Sequence, residues 1–479
     1  MIFHSLDFVV FFLITTVIYW RLPHRGQNVL LVAASYLFYG YVHPWFVALI
    51  VATTLTDYTV ARLIESRPAQ RRRWLAVSLT VNLGLLGFFK YFGFFVENVH
   101  AALAAVGWHV SMPVLHVVLP VGISFYTFQA LAYTIDVYQG RLAACRNLID
   151  FAAFVSLYPQ LVAGPIERAT HLLPQVEQRR AWSWPHAREA TFLIAWGFFK
   201  KLVVADNVGL IADKVFSLAE PGFTVLWAGV FAFAIQIYAD FSAYSDLARG
   251  LARWLGFDLV INFRHPYMAT GPVDFWRRWH ISLSTWFRDY VYIPLGGSRR
   301  GPTRALVNLW ITFLVSGLWH GANWNYVLWG AWHGTLVTVS RLVTGRRRET
   351  PRSDAWAIVE PLRVLAMFVL TCIGWLIFRE TDMHMLWRDL TLSPWDTTIG
   401  DRQIGGYLFL TAAAYSLPLW IHDIWSVYGT PERAAETSPA AGAWGGWPTM
   451  GRALLAGVAL AAILVLRSRQ SLDFIYFQF

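Results

Sequence analysis

The chain has 479 residues, 56% of them hydrophobic and only 14% charged, with a formal net charge of +10. A soluble domain carries about 25% charged residues. Here the apolar residues instead fall in blocks long enough to span lipid, which excludes a disordered chain, a disulfide scaffold, a coiled coil and an ordinary cytosolic enzyme.

The opening MIFHSLDFVVFF has no basic n-region and no small-residue cleavage site after it, so the first block reads as a retained span. Spans are expected near 6–20, 28–42, 45–61, 74–96, 187–205, 223–239, 305–319, 324–341, 361–378, 404–425 and 452–466. Segments 114–137 and 149–163 are apolar but carry Pro, Gly, Ser and Gln. They read as spans or as broken re-entrant pieces, which lipid tolerates only inside protein. The expected fold is all-α and polytopic, with about eleven to thirteen transmembrane or re-entrant helices. It reads as a single membrane-embedded unit over 1–479, with N-terminal spans in 1–113, a core in 114–345 and C-terminal spans in 353–479.

Orientation follows from the loops. RLIESRPAQRRR (62–73) and GRRRETPR (345–352) are strongly basic and belong in the cytoplasm. Loop 97–113, without Lys or Arg, and the Asp-rich loop 379–403 face outward, which puts the N-terminus outside. Basic loops between apolar blocks also account for the positive charge without a nucleic-acid partner. The two cysteines, Cys145 and Cys372, are too few for a disulfide framework or a cysteine zinc cage.

Region 240–304 is the longest stretch without a clean span, and Asp240 and Asp246 are expected at a helix end, paired with an Arg. Within it, DFWRRWHISLSTWFRDYVYIPLGG (274–297) places Trp276, Trp279, Leu283, Trp286, Phe287 and Tyr290 at spacings of three and four. That is one apolar helical face, read as an interfacial amphipathic helix on the cytoplasmic side. Arg277, Arg278 and Arg288 lie off that face, where they satisfy the positive-inside rule or attract the phosphates of a donor. His280 ends WRRWH, either at headgroup level or as a second polar group facing His320 across a narrow waist of protein from the other side.

The hairpin VNLWITFLVSGLWHGANWNYVLWGAWHG (307–334) follows. A span of 305–319 rises only about 22 Å against a hydrocarbon core of about 30 Å. The turn His320-Gly321-Ala322-Asn323 is therefore expected below the outer surface, with His320 at the floor of an outward-facing depression. An ionisable residue inside a membrane is a functional hypothesis by default; the bland alternative is an interhelical hydrogen bond. His333 lies deeper and reads as a cavity-lining or packing residue, and Asn323 as a polar lining or a helix cap. No P-loop, dinucleotide fingerprint, HExxH or GxSxG elbow is present, so a serine-hydrolase triad has no foothold and metal ligation has little support.

Five blocks then carry a resemblance: PVGISFYTFQALAYTIDVYQG (120–140), LYPQLVAGPIER (157–168), YADFSAYSDLARG (238–250), NFRHPYMATGPVDFWRRWHISLSTWFRDYVYIPLGG (262–297) and GLWHGANWNYVLWGAWHG (317–334), with the ending DFIYFQF (473–479). The sequence resembles the membrane-bound O-acyltransferase family, and within it the bacterial polysaccharide branch typified by alginate O-acetyltransferase membrane subunits. The teichoic acid D-alanyl transfer proteins share the two His-bearing blocks. The resemblance implies that the family's catalytic histidine maps onto His320 and its second signature position onto His280. It implies transfer of an acyl group from a cytoplasmic thioester, with acetyl-CoA as co-substrate and no bound cofactor, toward a polysaccharide acceptor outside the inner membrane. A separate periplasmic esterase-like partner with its own Ser-His-Asp site would complete the transfer. Neutral His320 would take the acceptor's proton, while His280 would orient the donor or donate a hydrogen bond to the oxyanion. Arg277, Arg278, Arg288, Asn323 and His333 are the remaining candidates for contact with the donor. A D-alanyl or lipid O-acyltransferase is the alternative within the family, and a transporter or flippase with broken helices is the rival outside it.

Overall fold

The computed structural model describes residues 1–108, 118–344, 356–395, 397–429, 449–468, 470 and 472–475. The basic loop 345–352, much of the final loop 428–449 and the terminal residues 476–479 lie outside the described residues. Among the described residues there are helices and no strands, and most of the apolar blocks form helices. Five are long and apolar enough to cross a membrane: Phe46–Ser66, Pro68–Ala105, Phe223–Trp254, Val359–Arg379 and Ile399–Tyr428. Leu6–Tyr19 and Ala456–Leu466 are shorter apolar helices. The protein is thus an all-α polytopic membrane protein, with fewer helices of spanning length than the eleven to thirteen expected. The remaining blocks form helices that are too short, too polar or too broken to meet that standard.

The chain folds as two compact units, Met1–Thr191 with Leu247–Val260, and Phe192–Asp246 with Ile261–Phe479. The first unit holds α1 (Leu6–Tyr19), α2 (His24–Gly40), α3 (Phe46–Ser66), α4 (Arg71–Leu86), α5 (Phe92–Ala105), α6 (Ile123–Tyr138), α7 (Leu148–Ser156) and α8 (Ala169–Glu177). A π-helical turn, Gly87–Tyr91, joins α4 to α5. Phe3, Phe8, Phe11, Phe38 and Tyr158 pack as one aromatic cluster. Asp57 of α3 is fully buried and accepts hydrogen bonds from Ser78 and Asn82 of α4 and Thr134 of α6, the last two at 2.8 and 2.9 Å. Neutral donors on neighbouring helices satisfy this carboxyl, the kind of polar contact that joins helices in lipid.

Of the two segments read as spans or broken re-entrant pieces, 149–163 is broken. After α7 the backbone turns without helix over 157–164, and nearly every residue there is buried. Gln129 donates to Phe154 O at 2.7 Å, and Gln160 donates to Gln129 Oε1 at 3.1 Å. A Cβ on Gly164 would collide with the Gln160 backbone, so the turn accepts only glycine. Irregular backbone is stable in a membrane protein when protein encloses it, as here.

The remaining helices are α9 (Trp184–Phe199), α10 (Asp206–Phe216), α11 (Phe223–Trp254), α12 (Pro272–Arg278), α13 (Ile281–Phe287), α14 (Pro302–His320), α15 (Trp324–Thr344), α16 (Trp356–Arg379), α17 (Met383–Thr391), α18 (Ile399–Tyr428) and α19 (Thr449–Leu466). Two expectations are corrected in the second unit. Asp240 and Asp246 lie mid-helix in α11, not at its end, and among the described residues lysines pair with them. Lys201 reaches Asp206 at 2.9 Å, Asp240 at 3.1 Å and Leu472 O at 2.9 Å, and Asp240 also accepts the Ile475 N–H at 2.7 Å. Lys200 reaches Asp246 and Ser242, each at 2.8 Å. Both lysines sit in a π-helical turn, Lys200–Ala205. Charge pairing of this kind lets a helix run on through two carboxylates.

The second correction concerns 274–287. The single amphipathic helix is two short ones, α12 and α13, broken at His280, whose backbone is left-handed with φ 42°. Trp279, Leu283, Trp286 and Phe287 are buried within the protein, so the apolar face is a core face and not an interfacial one.

Candidate active site

Asn262, on the connection between α11 and α12, organises the break. Its backbone carbonyl accepts the Ile281 N–H at 2.9 Å. Its side-chain oxygen accepts from the Ser282 N–H at 3.2 Å, the Ser282 hydroxyl at 2.9 Å and His280 Nδ1 at 3.1 Å. These bonds replace the helical ones that α12 and α13 would otherwise share, and so hold His280 in its left-handed conformation. The His280 ring is fully buried, edge-on to Phe241 at 4.7 Å and 6.2 Å from the Trp319 ring. It lies outside the spanning helices, and burial pushes its pKa down to about 3, because a charged ring would lose its hydration there.

His320 is the last residue of α14. Its ring stands edge-on to Trp319 at 4.9 Å, Trp329 at 4.9 Å and Phe378 at 5.4 Å. Trp319 therefore contacts both candidate imidazoles. Glycines set this geometry. A Cβ on Gly317 would collide with the Tyr326 carbonyl, and one on Gly330 with the Phe313 carbonyl, so α14 and α15 approach at backbone contact, as small residues permit. A Cβ on Gly321 would enter the Tyr326 ring. Asn325, fully buried on α15, donates to Phe378 O at 2.9 Å and Ile377 O at 3.3 Å, fixing the end of α16 beside His320.

α14 has 19 residues, Pro302–His320, against the expected span of 305–319, and rises about 28 Å. His320 is 5% exposed and walled by aromatic rings rather than open at the floor of a depression.

The other candidates separate. His333 is fully buried, stacked on Phe275 at 5.9 Å and edge-on to Trp276 at 5.0 Å, and neither ring nitrogen has a hydrogen-bond partner among the described residues. Asn323 accepts from the Trp324 N–H at 2.6 Å, at the start of α15, which is a capping position. Arg278 and Arg288 engage Asp274 and Asp289 at 2.8 and 2.7 Å, and Arg277 is exposed.

One cluster had no sequence signal. His265 also has a left-handed backbone, with φ 50°. Its Nδ1 lies 2.8 Å from Asp423 Oδ1, and His422 Nδ1 lies 3.1 Å from the same atom, while Tyr238 donates to Oδ2 at 2.9 Å. The two imidazoles and the carboxylate, with ligand atoms within 4.8 Å of one another, are the group among the described residues able to hold a metal ion. Hydrogen bonds from the two imidazoles and the phenol satisfy the same carboxylate. Residues 158 apart in the chain compose this cluster, so no local motif announces it.

The pattern of the MBOAT, membrane-bound O-acyltransferase family, matches residues 142–378, which include His280, His320 and His333. The chain is 38% identical to a probable alginate O-acetylase of Pseudomonas putida, over 100% of both chains. It is 41% identical to a probable alginate O-acetylase of Azotobacter vinelandii, over 81% of this chain and 77% of that one. It is 34% identical to a peptidoglycan O-acetyltransferase of Helicobacter pylori, over 74% and 71% respectively. With two buried imidazoles against one indole, in a polytopic all-α protein alike over its full length to such a relative, the chain belongs to the membrane-bound O-acyltransferase family.

Proposed function

We propose that this acyltransferase moves an acetyl group from cytoplasmic acetyl-CoA to a hydroxyl of a polysaccharide outside the inner membrane. The full-length similarity to a probable alginate O-acetylase carries this reading, and the pairing of His280 and His320 around Trp319 supports it. The acceptor hydroxyl oxygen attacks the thioester carbonyl while a nitrogen of neutral His320 takes its proton. The tetrahedral intermediate collapses, the C–S bond breaks, and the CoA thiolate leaves and recovers that proton as the thiol. An oxoester forms and no redox partner is needed. A positioned histidine base contributes about 10²–10⁴-fold to such a step.

The acceptor is alginate-like in this reading, with transfer completed by a periplasmic esterase-like protein. The similarity to a peptidoglycan O-acetyltransferase favours peptidoglycan as the second acceptor class. The test is reconstitution in proteoliposomes with labelled acetyl-CoA outside and both oligosaccharide and the periplasmic esterase-like protein inside. Appearance of acetyl ester on one glycan, read by mass spectrometry, identifies the acceptor. Movement of substrate without ester formation would overturn the reading in favour of a transporter.

A further inference from the structure

The hydrogen bonds around Asn262 determine which nitrogen of His280 bears the proton. Asn262 is 1% exposed. The atom of its side chain that faces Ser282 lies 3.2 Å from a backbone N–H. A backbone amide only donates, so this atom is the amide oxygen and not the nitrogen. The other end, Nδ2, faces the Ser245 hydroxyl at 3.4 Å, which leaves the flip fixed. His280 Nδ1, 3.1 Å from the same oxygen, must then donate. A neutral imidazole has one N–H, so the proton sits on Nδ1 and Nε2 carries the lone pair. The partner on one ring nitrogen sets the role of the other. Asn262 also holds the backbone of 281 and 282, so one residue fixes the ring's position and its tautomer together.

We propose that Asn262 is a positioning residue that locks His280 in the Nδ1–H form, so that His280 meets the substrates as a hydrogen-bond acceptor at Nε2. This rests on His280 being part of the acyl-transfer site, and it reverses the oxyanion-donor role anticipated for that ring. A neutral ring locked this way has no proton on Nε2 to give to an oxyanion. The group it recognises is an O–H or N–H donor. Two sources offer one: a hydroxyl of the sugar acceptor, or an amide N–H on the thioester's arm. Desolvation keeps the ring neutral, in agreement with the hydrogen-bond geometry. Among the described residues, Phe241 of α11, Phe263 beside Asn262, and Trp319 of α14 face the ring, and Asn262 Oδ1 directs Nδ1.

The direct test is magic-angle-spinning NMR of the full-length protein in lipid with ¹⁵N-histidine. The His280 resonances are assigned by their loss in His280→Asn. The expected spectrum shows His280 neutral, with Nδ1 protonated and Nε2 bare. An Nε2–H ring in the wild-type protein would overturn the proposal. Asn262→Asp keeps an acceptor for Nδ1 and is expected to retain that spectrum, whereas Asn262→Leu removes it and should give mixed tautomers. In the reconstituted assay Asn262→Leu should lower kcat about 10- to 100-fold, the cost typical of losing an outer partner of a functional histidine, with substantial rescue in Asn262→Asp. A merely structural asparagine would make both variants equally impaired, with the ring's tautomer unchanged, and that result contradicts the proposal. A raised KM for acetyl-CoA in Asn262→Leu assigns the donor to the thioester arm, and a raised KM for the glycan assigns it to the sugar. If the tautomer is as stated but His280→Ala turns over at the wild-type rate, the placement of His280 in the site fails while the tautomer assignment stands.

Discussion

Three glycines of one helical hairpin answer differently to the same substitution. In Gly317→Ala the new methyl meets the backbone carbonyl of Tyr326, with the Gly330 nitrogen 3.3 Å away; in Gly330→Ala it meets the carbonyl of Phe313, with Leu314 Cα at 3.3 Å. In Gly334→Ala the nearest atom is Phe313 Cβ at 3.6 Å, an ordinary contact. A Gly→Ala change in a helix gains about 1 kcal/mol from propensity, and overpacking costs about 1–3 kcal/mol. A carbonyl cannot rotate out of the way, so Gly317→Ala and Gly330→Ala should lose up to about 2 kcal/mol net while Gly334→Ala gains a few tenths or more. Activity should fall further than stability. Relieving the clash separates α14 from α15, and His320 ends α14 while Trp329, against its ring, belongs to α15. A misplacement of about 1 Å costs about 10²-fold in rate. Thermal melting in detergent and acetyl transfer in proteoliposomes measure the two effects. Wild-type melting and turnover in Gly317→Ala, or damage from Gly334→Ala equal to that from Gly330→Ala, would refute the close-approach argument.

Other outcomes follow from the buried polar groups. His333→Phe should be folded and more stable, by up to about 1–3 kcal/mol, because it replaces a buried ring whose nitrogens have no partner among the described residues; loss of turnover in a stable His333→Phe protein would give that imidazole a chemical role. Lys201→Met should cost about 3–5 kcal/mol, since it strands Asp206 and Asp240, and the triple change with Asp206→Asn and Asp240→Asn should recover much of that loss in melting temperature. His280 has its folded pKa lowered from 6.5 to about 3, so between those values the unfolded chain binds the extra proton and stability rises with pH. His280→Asn should therefore reduce the loss of stability between pH 7 and pH 5, by on the order of 2 kcal/mol; an unchanged acid sensitivity would show that the ring is not held neutral.

The apolar blocks announced the helices because lipid and core both demand them, and the Pro, Gly and Gln of 157–164 announced a broken segment because only enclosed protein accepts one. Long-range partners hid the rest. Local periodicity extends a helix through 274–287, but Asn262 captures the N–H groups of Ile281 and Ser282 and breaks it at His280. Charge ended the expected span near 239, yet Lys200 and Lys201 neutralise Asp246 and Asp240 and α11 continues to Trp254. The spacing of His280 and His320 in sequence gave no sign of Trp319 touching both rings. Asn325, which anchors Phe378 beside His320, and the His265–Asp423–His422 cluster are likewise products of packing between distant segments.

The account depends most on the imidazole that ends α14. Purified wild-type and His320→Ala proteins, matched for melting temperature and reconstituted at equal density, should be compared for ester formation from labelled acetyl-CoA. The expected result is a fall of about 10²–10⁴-fold in the variant, the contribution of a general base, with no change in folding. Ester formation by His320→Ala at the wild-type rate would contradict the assignment of the base.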